Sequence, residues 1–587
     1  MLQQKSISKI FSEKKTDLLR YLILIISAIT PFLIPLFKIS KIALVRDWGY
    51  FNGLSLVVHS SILQYKVFPI HNPWILGGVD ILANPQSRVF SPFVIFDILF
   101  TAPYANLFAL ITLAIVGSFG FYKLITFLNI NKNIAIVGSI IFIHASWFTL
   151  HFSEGHIIFG SFQLIGLAFY YILRIQERNF KIYYALLNAF YLLDGAIYTF
   201  IFTNLLLMMA IIVCINDLSP IKFIKSLYKQ WKTTLISIFI FVSISSAKLL
   251  PFLWLHKSRT PIMEFVSIPI RYILHCLFDP FQGILKEING ISIPFQFHEV
   301  GVYIGILGGA LTITYLIIVR KKMFVGYILI AAFFFWMGSG WFSEINPWRL
   351  FQKIPIVNNA HVQTRLFILS YLMFAIMLCY ALDYYKNKLH YILLYSIIGL
   401  LIAESIFVSS YPFYKVFTYE DSTCKTEIFN TLIKSNTINK TVNKASEGWG
   451  FDFTHYFNTN TGAKNSGEPA FIQGNIKSIN DTEYKGEIYL IKGIGNAVIQ
   501  SYTPAKIHIK YTFDTISEIQ LNTNYLLGWK SNNKDILISE SKGLLTIKPA
   551  NLSGEVDILY RPTYLYIIIP LFFMGLILSF IVLFRKK

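Results

Sequence analysis

The chain has 587 residues, 55% of them hydrophobic and only 14% charged, with a mean hydropathy of +0.56. Soluble domains run about 45–50% apolar and about 25% charged, so the composition excludes a disordered chain, a collagen-like chain and a small disulfide scaffold, and argues against an ordinary soluble enzyme; a polytopic membrane protein remains. The formal net charge of +20 does not mark a nucleic-acid binder. Residues 410–562 are near neutral, with 16 Lys/Arg against 15 Asp/Glu, and the other 35 bases face 16 acids in the hydrophobic part. A basic excess scattered over short loops between apolar segments is a membrane-topology signal, and no basic run with interleaved aromatics offers to track a phosphate backbone.

Twelve windows read as spans of about 20 mostly apolar residues: 18–37, 104–127, 133–150, 157–174, 183–198, 199–215, 234–255, 301–319, 323–338, 363–383, 391–409 and 563–584. The first follows a basic stretch but is too long for a signal-peptide core, so it is expected to stay as a membrane helix. The pair at 183–215, interrupted by Asp194-Gly195, reads as two short helices or one long broken one. With the N-terminus inside, the inner loops carry Lys132, then Arg174, Arg178 and Lys181, then Lys222, Lys225, Lys229 and Lys232, then Arg320, Lys321 and Lys322, then Lys386 and Lys388, and Arg585-Lys586-Lys587 closes the chain inside. This obeys the positive-inside rule and predicts both termini in the cytoplasm. The long segments 38–103, 256–300, 339–362 and 410–562 then lie outside, with nine of the 12 histidines in or beside the outer segments ahead of 410. Ionisable groups at the rim of a membrane bundle point to a cavity, although loops also simply hold polar residues.

The first outer segment opens with Asp47-Trp48. Phe51, Leu54, Val58, Ile62 and Tyr65 recur at three or four residues beside a polar stripe of Asn52, Ser55, His59 and Lys66, which predicts a helix lying in the membrane interface. FPIHNPWILGGVDILANPQSRVFSP, residues 68–92, follows; its four prolines, Gly77-Gly78 and Asn84-Pro85 predict a fixed, irregular and functional loop. A carboxylate at the outer mouth of span 1 suits a general base that takes a proton from an acceptor hydroxyl, help worth about 10²–10⁴ in rate; a helix-capping or interface carboxylate is the structural alternative for Asp47. HFSEGH (151–156) sets His151, Glu154 and His156 in a tight turn, where a metal site needs convergence that a turn does not guarantee, and no metal is assigned. Glu299 beside His298 precedes span 8. Arg259, Lys257, Lys248 and Arg365 are cations that suit a phosphate or anchor the interface by snorkelling. Cys214, Cys276, Cys379 and Cys424 are far apart in sequence, so neither a disulfide framework nor a thiolate metal site is expected. No Walker, HExxH or GxSxG pattern appears.

Residues 410–562 change texture. Ile507, Ile509 and Tyr511 alternate with Lys506, His508 and Lys510, and Val556, Ile558 and Tyr560 with Glu555, Asp557 and Leu559, the period of half-buried strands. A β-sandwich of seven or eight strands is predicted, followed by the final span at 563–587.

Several of these pieces, in order, resemble the YfhO-type bacterial membrane proteins, relatives of the GT-C glycosyltransferases. They are Asp47 after the first span; Pro73-Trp74 through Gly77-Gly78 to Ala83-Asn84-Pro85-Gln86 and Ser91-Pro92; His151 to Gly155-His156; His298-Glu299 to Tyr303-Ile304-Gly305; and Gly528-Trp529-Lys530 with Tyr560-Arg561-Pro562. The chain departs from the family before span 10, where only Arg365 remains and His361 and Gln363 stand in place of Arg and Pro. The resemblance implies a GT-C-like domain over 1–409, an outer β-domain over 410–562, and location in a bacterial cytoplasmic membrane. It implies an inverting transfer of sugar from a polyprenyl-phosphate donor to a cell-envelope acceptor on the outer face, a reaction that such proteins often run without nucleotide sugar or metal; no cofactor is assigned, and the use of a divalent metal stays open. Asp47 would be the base, with Arg365 or Arg259 on the phosphate and Glu154, His156 and Glu299 shaping the site together with His59, Trp74, Asn84 and Gln86. The competing expectation is a non-catalytic protein that binds or translocates a lipid-linked glycan.

Overall fold

The computed structural model describes residues 2–38, 47–255, 265–281, 297–354, 362–419, 442–443, 457, 461–464 and 475–584. Arg259, with His256, Lys257, His361, Cys424, Trp449 and the terminal Arg585-Lys586-Lys587, lies outside these residues. All twelve windows are helical. Among the described residues, seven helices are long and apolar enough to cross a membrane: Thr16–Phe37, Tyr104–Phe127, Lys132–Glu154, Trp231–Trp254, Gln363–Tyr385, Tyr391–Phe417 and Leu565–Phe584. Ile157–Leu173, Ile306–Val319 and Met323–Ser339 are shorter apolar helices, and Ile197–Ile212 passes the same test only together with Ile215–Lys229, to which it is bent by 97°.

Local chemistry places the breaks. Asn131 caps the helix Lys132–Ile143 by accepting from the amide of Asn133 (2.9 Å), the side-chain cap that short polar residues supply. At 183–215 there are two helices, Arg178–Leu193 and Ile197–Ile212. Gly195 between them has φ +74°, and a Cβ there would meet the Gln86 carbonyl at 2.7 Å. Asp194 closes the break by accepting from the hydroxyls of Ser91 and Ser161, each at 2.9 Å. Helix Trp231–Leu255 packs between Arg178–Leu193 and Leu565–Phe584, and Tyr104–Phe127 packs against Leu2–Ile29, Lys132–Ile143 and Ile165–Leu173.

The helix predicted over 48–66 forms as Trp48–Leu63, but it does not lie on an interface: every residue from Trp48 to Ser61 is buried. Its polar stripe has partners inside the protein. Ser55 donates to the Asp97 carboxylate, His59 Nδ1 meets the Asp97 carbonyl at 2.8 Å, and Asn52 accepts from Asn106 at 2.7 Å. Arg88 closes the network on Asp97 (3.1 Å) and Asn106 (2.5 Å). Amphipathic spacing identifies a helix with a polar face; it does not distinguish lipid headgroups from a buried network as what that face meets.

The C-terminal region folds as two four-stranded sheets. Their strands in chain order are β1 (Ile488–Lys492), β2 (Gly495–Thr503), β3 (Lys506–Phe513), β4 (Glu518–Asn524), β5 (Trp529–Ser531), β6 (Ile536–Ser541), β7 (Leu544–Pro549) and β8 (Ser553–Tyr560); one sheet has the order β6-β7-β4-β1 and the other β2-β3-β8-β5. The predicted alternation holds: Ile507, Ile509, Tyr511, Val556, Ile558 and Tyr560 are all buried. Antiparallel register sets Ile509 opposite Val556 and Ile507 opposite Ile558, while on the other face His508 meets Asp557 at 2.7 Å and Lys506 meets Asp557 at 2.9 Å. Trp529 belongs to the core, its indole against His71 and Tyr560.

These sheets are docked on the 68–92 loop. Asn524 is buried and binds the loop: its amide N–H donates to Gly77 (2.8 Å) and its side chain to Leu76 (2.5 Å) and Gly78 (3.0 Å). His71 Nδ1 meets the Pro504 carbonyl at 3.0 Å. Tyr560 donates to Asp80 (2.6 Å), as does Tyr564, and the same carboxylate accepts the amides of Leu82 (2.8 Å) and Ala83 (3.0 Å). Gly77 and Gly78 have φ of +76° and +96°, the left-handed region that glycine enters without a Cβ penalty; the loop carbonyls that bind Asn524 come from this turn.

Candidate functional site

Five of the ten predicted site residues converge at one end of the helical bundle. His151 and Glu154 sit on the last turn of the helix Ser146–Glu154, and Gly155 then reverses the chain with φ +93°. A Cβ on Gly155 would lie 2.2 Å from the Trp48 amide nitrogen, so only glycine allows 155 to touch the start of the Trp48–Leu63 helix. That contact is fastened by Asp47 N–H donating to the Glu154 carbonyl (3.0 Å) and the Trp48 indole donating to the Phe152 carbonyl (2.9 Å). The reversal swings His156 back over His151, bringing their Nδ1 atoms to 2.8 Å. HFSEGH is therefore a helix end and a left-handed reversal, and the two imidazoles do converge.

The groups form a continuous row. Asp47 Oδ2 lies 3.2 Å from His156 Nε2; His151 Nε2 lies 4.0 Å from Glu299 Oε2; His298 bridges Glu299 (3.6 Å) and Glu154 (3.7 Å). Arg365 ends the row with two parallel bonds to Glu299, 2.8 and 2.5 Å, its guanidinium over the rings of Phe159 and Tyr198. Asp47 is the open edge, its side chain 38% exposed, against 14% for His156, 8% for Glu299 and 0% for His151. Burial opposes ionisation of Glu299, yet the charge and hydrogen bonds of Arg365 hold its carboxyl well below the usual range. Burial lowers the His298 imidazole against the pull of Glu299.

The other predicted residues serve the scaffold. His59 belongs to the Asp97 network. Trp74 is fully buried against Phe457, its amide donating to Asn72 (3.1 Å). Asn84 donates to the Tyr50 hydroxyl (2.8 Å) and accepts the Gln86 amide (2.9 Å), and its carbonyl binds Lys248. Gln86 lies against Gly195. A cavity of about 20 Å³ lies between the Trp48–Leu63 helix and Arg88, Asp97 and Asp194, room for about one water and too small for a sugar. Arg365, expected on a phosphate, is occupied by Glu299. Sequence reading left out His151 and His298 as site members; the signal for His151 was present in its five-residue spacing from His156, whereas nothing local ties His298 to Glu154.

No protein-family model matches the chain, and no curated protein matches it. What the fold and the site define is a class: a mostly helical, multi-pass membrane protein with a β-sheet region near its C-terminus and an ionisable cluster at one end of the bundle. At the opposite end, Arg20 and Lys132 meet Asp17, and Asp383 accepts the Asn131 amide.

Proposed function

We propose that the protein is a GT-C-like, YfhO-type membrane glycosyltransferase that moves a sugar from a polyprenyl-phosphate donor to a cell-envelope acceptor on the outer face of a bacterial cytoplasmic membrane. The observation that carries the reading is Asp47: the most exposed acid of the cluster, at the open end of a row that runs inward through half-buried His156 to buried His151, Glu299 and Arg365. In this reading Asp47 takes the proton of the acceptor hydroxyl as that oxygen attacks the anomeric carbon. The bond from the anomeric carbon to the phosphate oxygen breaks, polyprenyl phosphate departs with the electron pair, and the sugar inverts. His156, 3.2 Å away, holds the carboxylate in place. Because Arg365 is committed to Glu299, the leaving phosphate falls to Arg259.

The topology that goes with this reading has about twelve spans, both termini in the cytoplasm and the β-domain outside, where its contact with the 68–92 loop supports a role in positioning the acceptor. The basic Arg20–Lys132 end lies opposite the cluster, as the positive-inside rule asks. A carrier of lipid-linked glycans would hold unsatisfied polar groups near the bilayer midplane. Here Asp194 is bonded to two serines, Glu404 accepts from Tyr303, and Lys248 donates to Asn84 and Ser87, which favours the enzyme. The test is purified protein with a polyprenyl-phosphate sugar and an envelope-polymer acceptor. Release of polyprenyl phosphate by the natural chain and its loss in Asp47→Asn, with membrane insertion unchanged, supports the reading; binding without turnover favours the carrier, and turnover retained in Asp47→Asn removes Asp47 from the chemistry.

A further inference from the structure

We propose that His151, His156 and Glu299 form a binding site for one divalent transition-metal ion of the Zn²⁺ kind. One nitrogen of each imidazole and one oxygen of the Glu299 carboxylate lie within 4.8 Å of one another. The three donors come from two parts of the chain nearly 150 residues apart, and each is fixed from behind. His151 is wedged edge-on against Trp147 (4.2 Å between centroids) and Phe159, and Glu299 is oriented by the paired bonds of Arg365. His156 is oriented by Asp47, the carboxylate–histidine arrangement that supports metal ligands from the second layer.

Proton counting points to a missing cation. The row Asp47, His156, His151, Glu299 has an acceptor at each end and three contacts between its members. Two neutral imidazoles bring two N–H groups, so one contact must go without. If His156 donates to Asp47 through Nε2, its Nδ1 accepts from His151 Nδ1–H. His151 Nε2 then presents a bare lone pair to a carboxylate oxygen at 4.0 Å, too far for a hydrogen bond. That nitrogen is indeed buried and has no hydrogen-bond partner, and an unpaired buried polar atom is costly.

The donor set selects the ion. Two imidazoles and one carboxylate suit Zn²⁺ and its neighbours rather than Mg²⁺ or Ca²⁺, which prefer all-oxygen shells. Ligand bonds of roughly 2.0–2.2 Å hold donors of a tetrahedral ion about 3.3–3.6 Å apart, so the three groups close by about an ångström around it. The fourth position goes to water or an anionic oxygen, beside Asp47. Ion binding does not depend on the glycosyltransferase reading; either can fail alone.

The experiment uses the full chain in detergent, stripped with chelator and dialysed, then titrated with Zn²⁺ against a chromophoric competitor and separately with Co²⁺ while the visible spectrum is recorded. The expected result is one ion per chain and Co²⁺ bands of the intensity of four- or five-coordinate sites. His156→Gln and His151→Gln are expected to weaken Zn²⁺ by about 100-fold or more, while His508→Gln on the β-domain surface binds as the natural chain does. Less than a stoichiometric ion, the weak spectrum of an octahedral aquo ion, or unchanged affinity in folded His156→Gln overturns the site; the missing cation is then a proton shared along the row. Should the variants not fold, the Co²⁺ spectrum of the unaltered chain decides.

Discussion

Two buried carboxylates anchor the two distinctive regions of the molecule, and they are held in opposite ways. Glu299, in the rim cluster, faces the guanidinium of Arg365 through two hydrogen bonds. Asp80, at the seam between the 68–92 loop and the β-domain, accepts its hydrogen bonds from neutral donors, two tyrosine hydroxyls and two amides, with Lys248 acting on it only through space. Both are desolvated. For Glu299 the cation outweighs burial and keeps the acid ionised; for Asp80 burial wins, and the carboxyl is pushed above its usual range despite four donors. Burial alone therefore predicts nothing about the charge of an acid; the partner decides. One region carries a held charge suited to chemistry; the other is a carboxyl with a raised pKa gripped by neutral donors, suited to joining two parts of the chain.

The contrast can be broken at several points. The largest effect follows from the proposed function: if the protein transfers sugar, Asp47→Asn is expected to lower that transfer by about 10²–10⁴, the range for a lost general base, with insertion unchanged. Next, Arg365→Met leaves Glu299 buried and unpaired, a loss of about 3–5 kcal/mol, read as a fall in thermal unfolding temperature in detergent; Arg365→Met combined with Glu299→Gln is expected to recover much of it. The same double change at the latch has no counterpart, because among the described residues no cation hydrogen-bonds to Asp80. Tyr560→Phe removes one donor to Asp80 and is expected to cost about 1–3 kcal/mol, with faster proteolysis at the seam between loop and β-domain while the helical bundle stays intact.

The pH dependences run in opposite directions. The folded pKa of Asp80 is raised, so the native state binds that proton more tightly than the unfolded chain. Its contribution to stability is complete below the unfolded value, about 3.9, and is lost as pH rises through the folded value. Asp80→Asn should therefore gain on the natural chain as pH is raised from about 4, measured as the melting temperature of the variant minus that of the natural chain; a value that falls with rising pH contradicts the assignment. Asp557, on the β-domain surface between Lys506 and His508 with Glu555 and Lys510 alongside, gives the smallest effect. Although partial burial opposes it, the hydrogen bonds and electrostatics of Lys506 and His508 lower its pKa, so its contribution is present above about 3.9 and fades as pH falls through the folded value. Being partly exposed, it is worth roughly 0.2–1 kcal/mol, and Asp557→Asn should approach the natural chain only in acid.

Helices and strands were legible because their signals are local. A run of apolar residues has to hide its backbone polar groups, and in 104–127 or 391–409 only a helix does so; in 506–513 and 553–560 the period of two could only be a strand with one face buried. Asp194-Gly195 was legible as a break for the same reason, since a charge and a helix-breaking residue stand together in an apolar run. Asp47, Glu154, His156, Glu299 and Arg365 were each picked out by residue type, but their meeting was not. His59, Trp74, Asn84 and Gln86 carried the same kind of signal and turned out to bind the scaffold. Residue type reports what a side chain can do; it is silent on what stands opposite.

By itself, then, the sequence determined that this chain enters a membrane, where its helices lie and that a two-sheet domain precedes the last of them, because hydrophobic periodicity depends only on neighbours along the chain. The tertiary structure decided that the Trp48–Leu63 helix is buried rather than interfacial, that Arg365 answers Glu299, and that Asp80 latches the β-domain through Tyr560 and Tyr564. Each of these joins residues tens to hundreds of positions apart. Contacts of that kind arise when packed helices and sheets bring distant side chains within hydrogen-bonding reach, and the left-handed turn at Gly155, tight against the Trp48 amide, is the point where a single local conformation gathers the whole cluster.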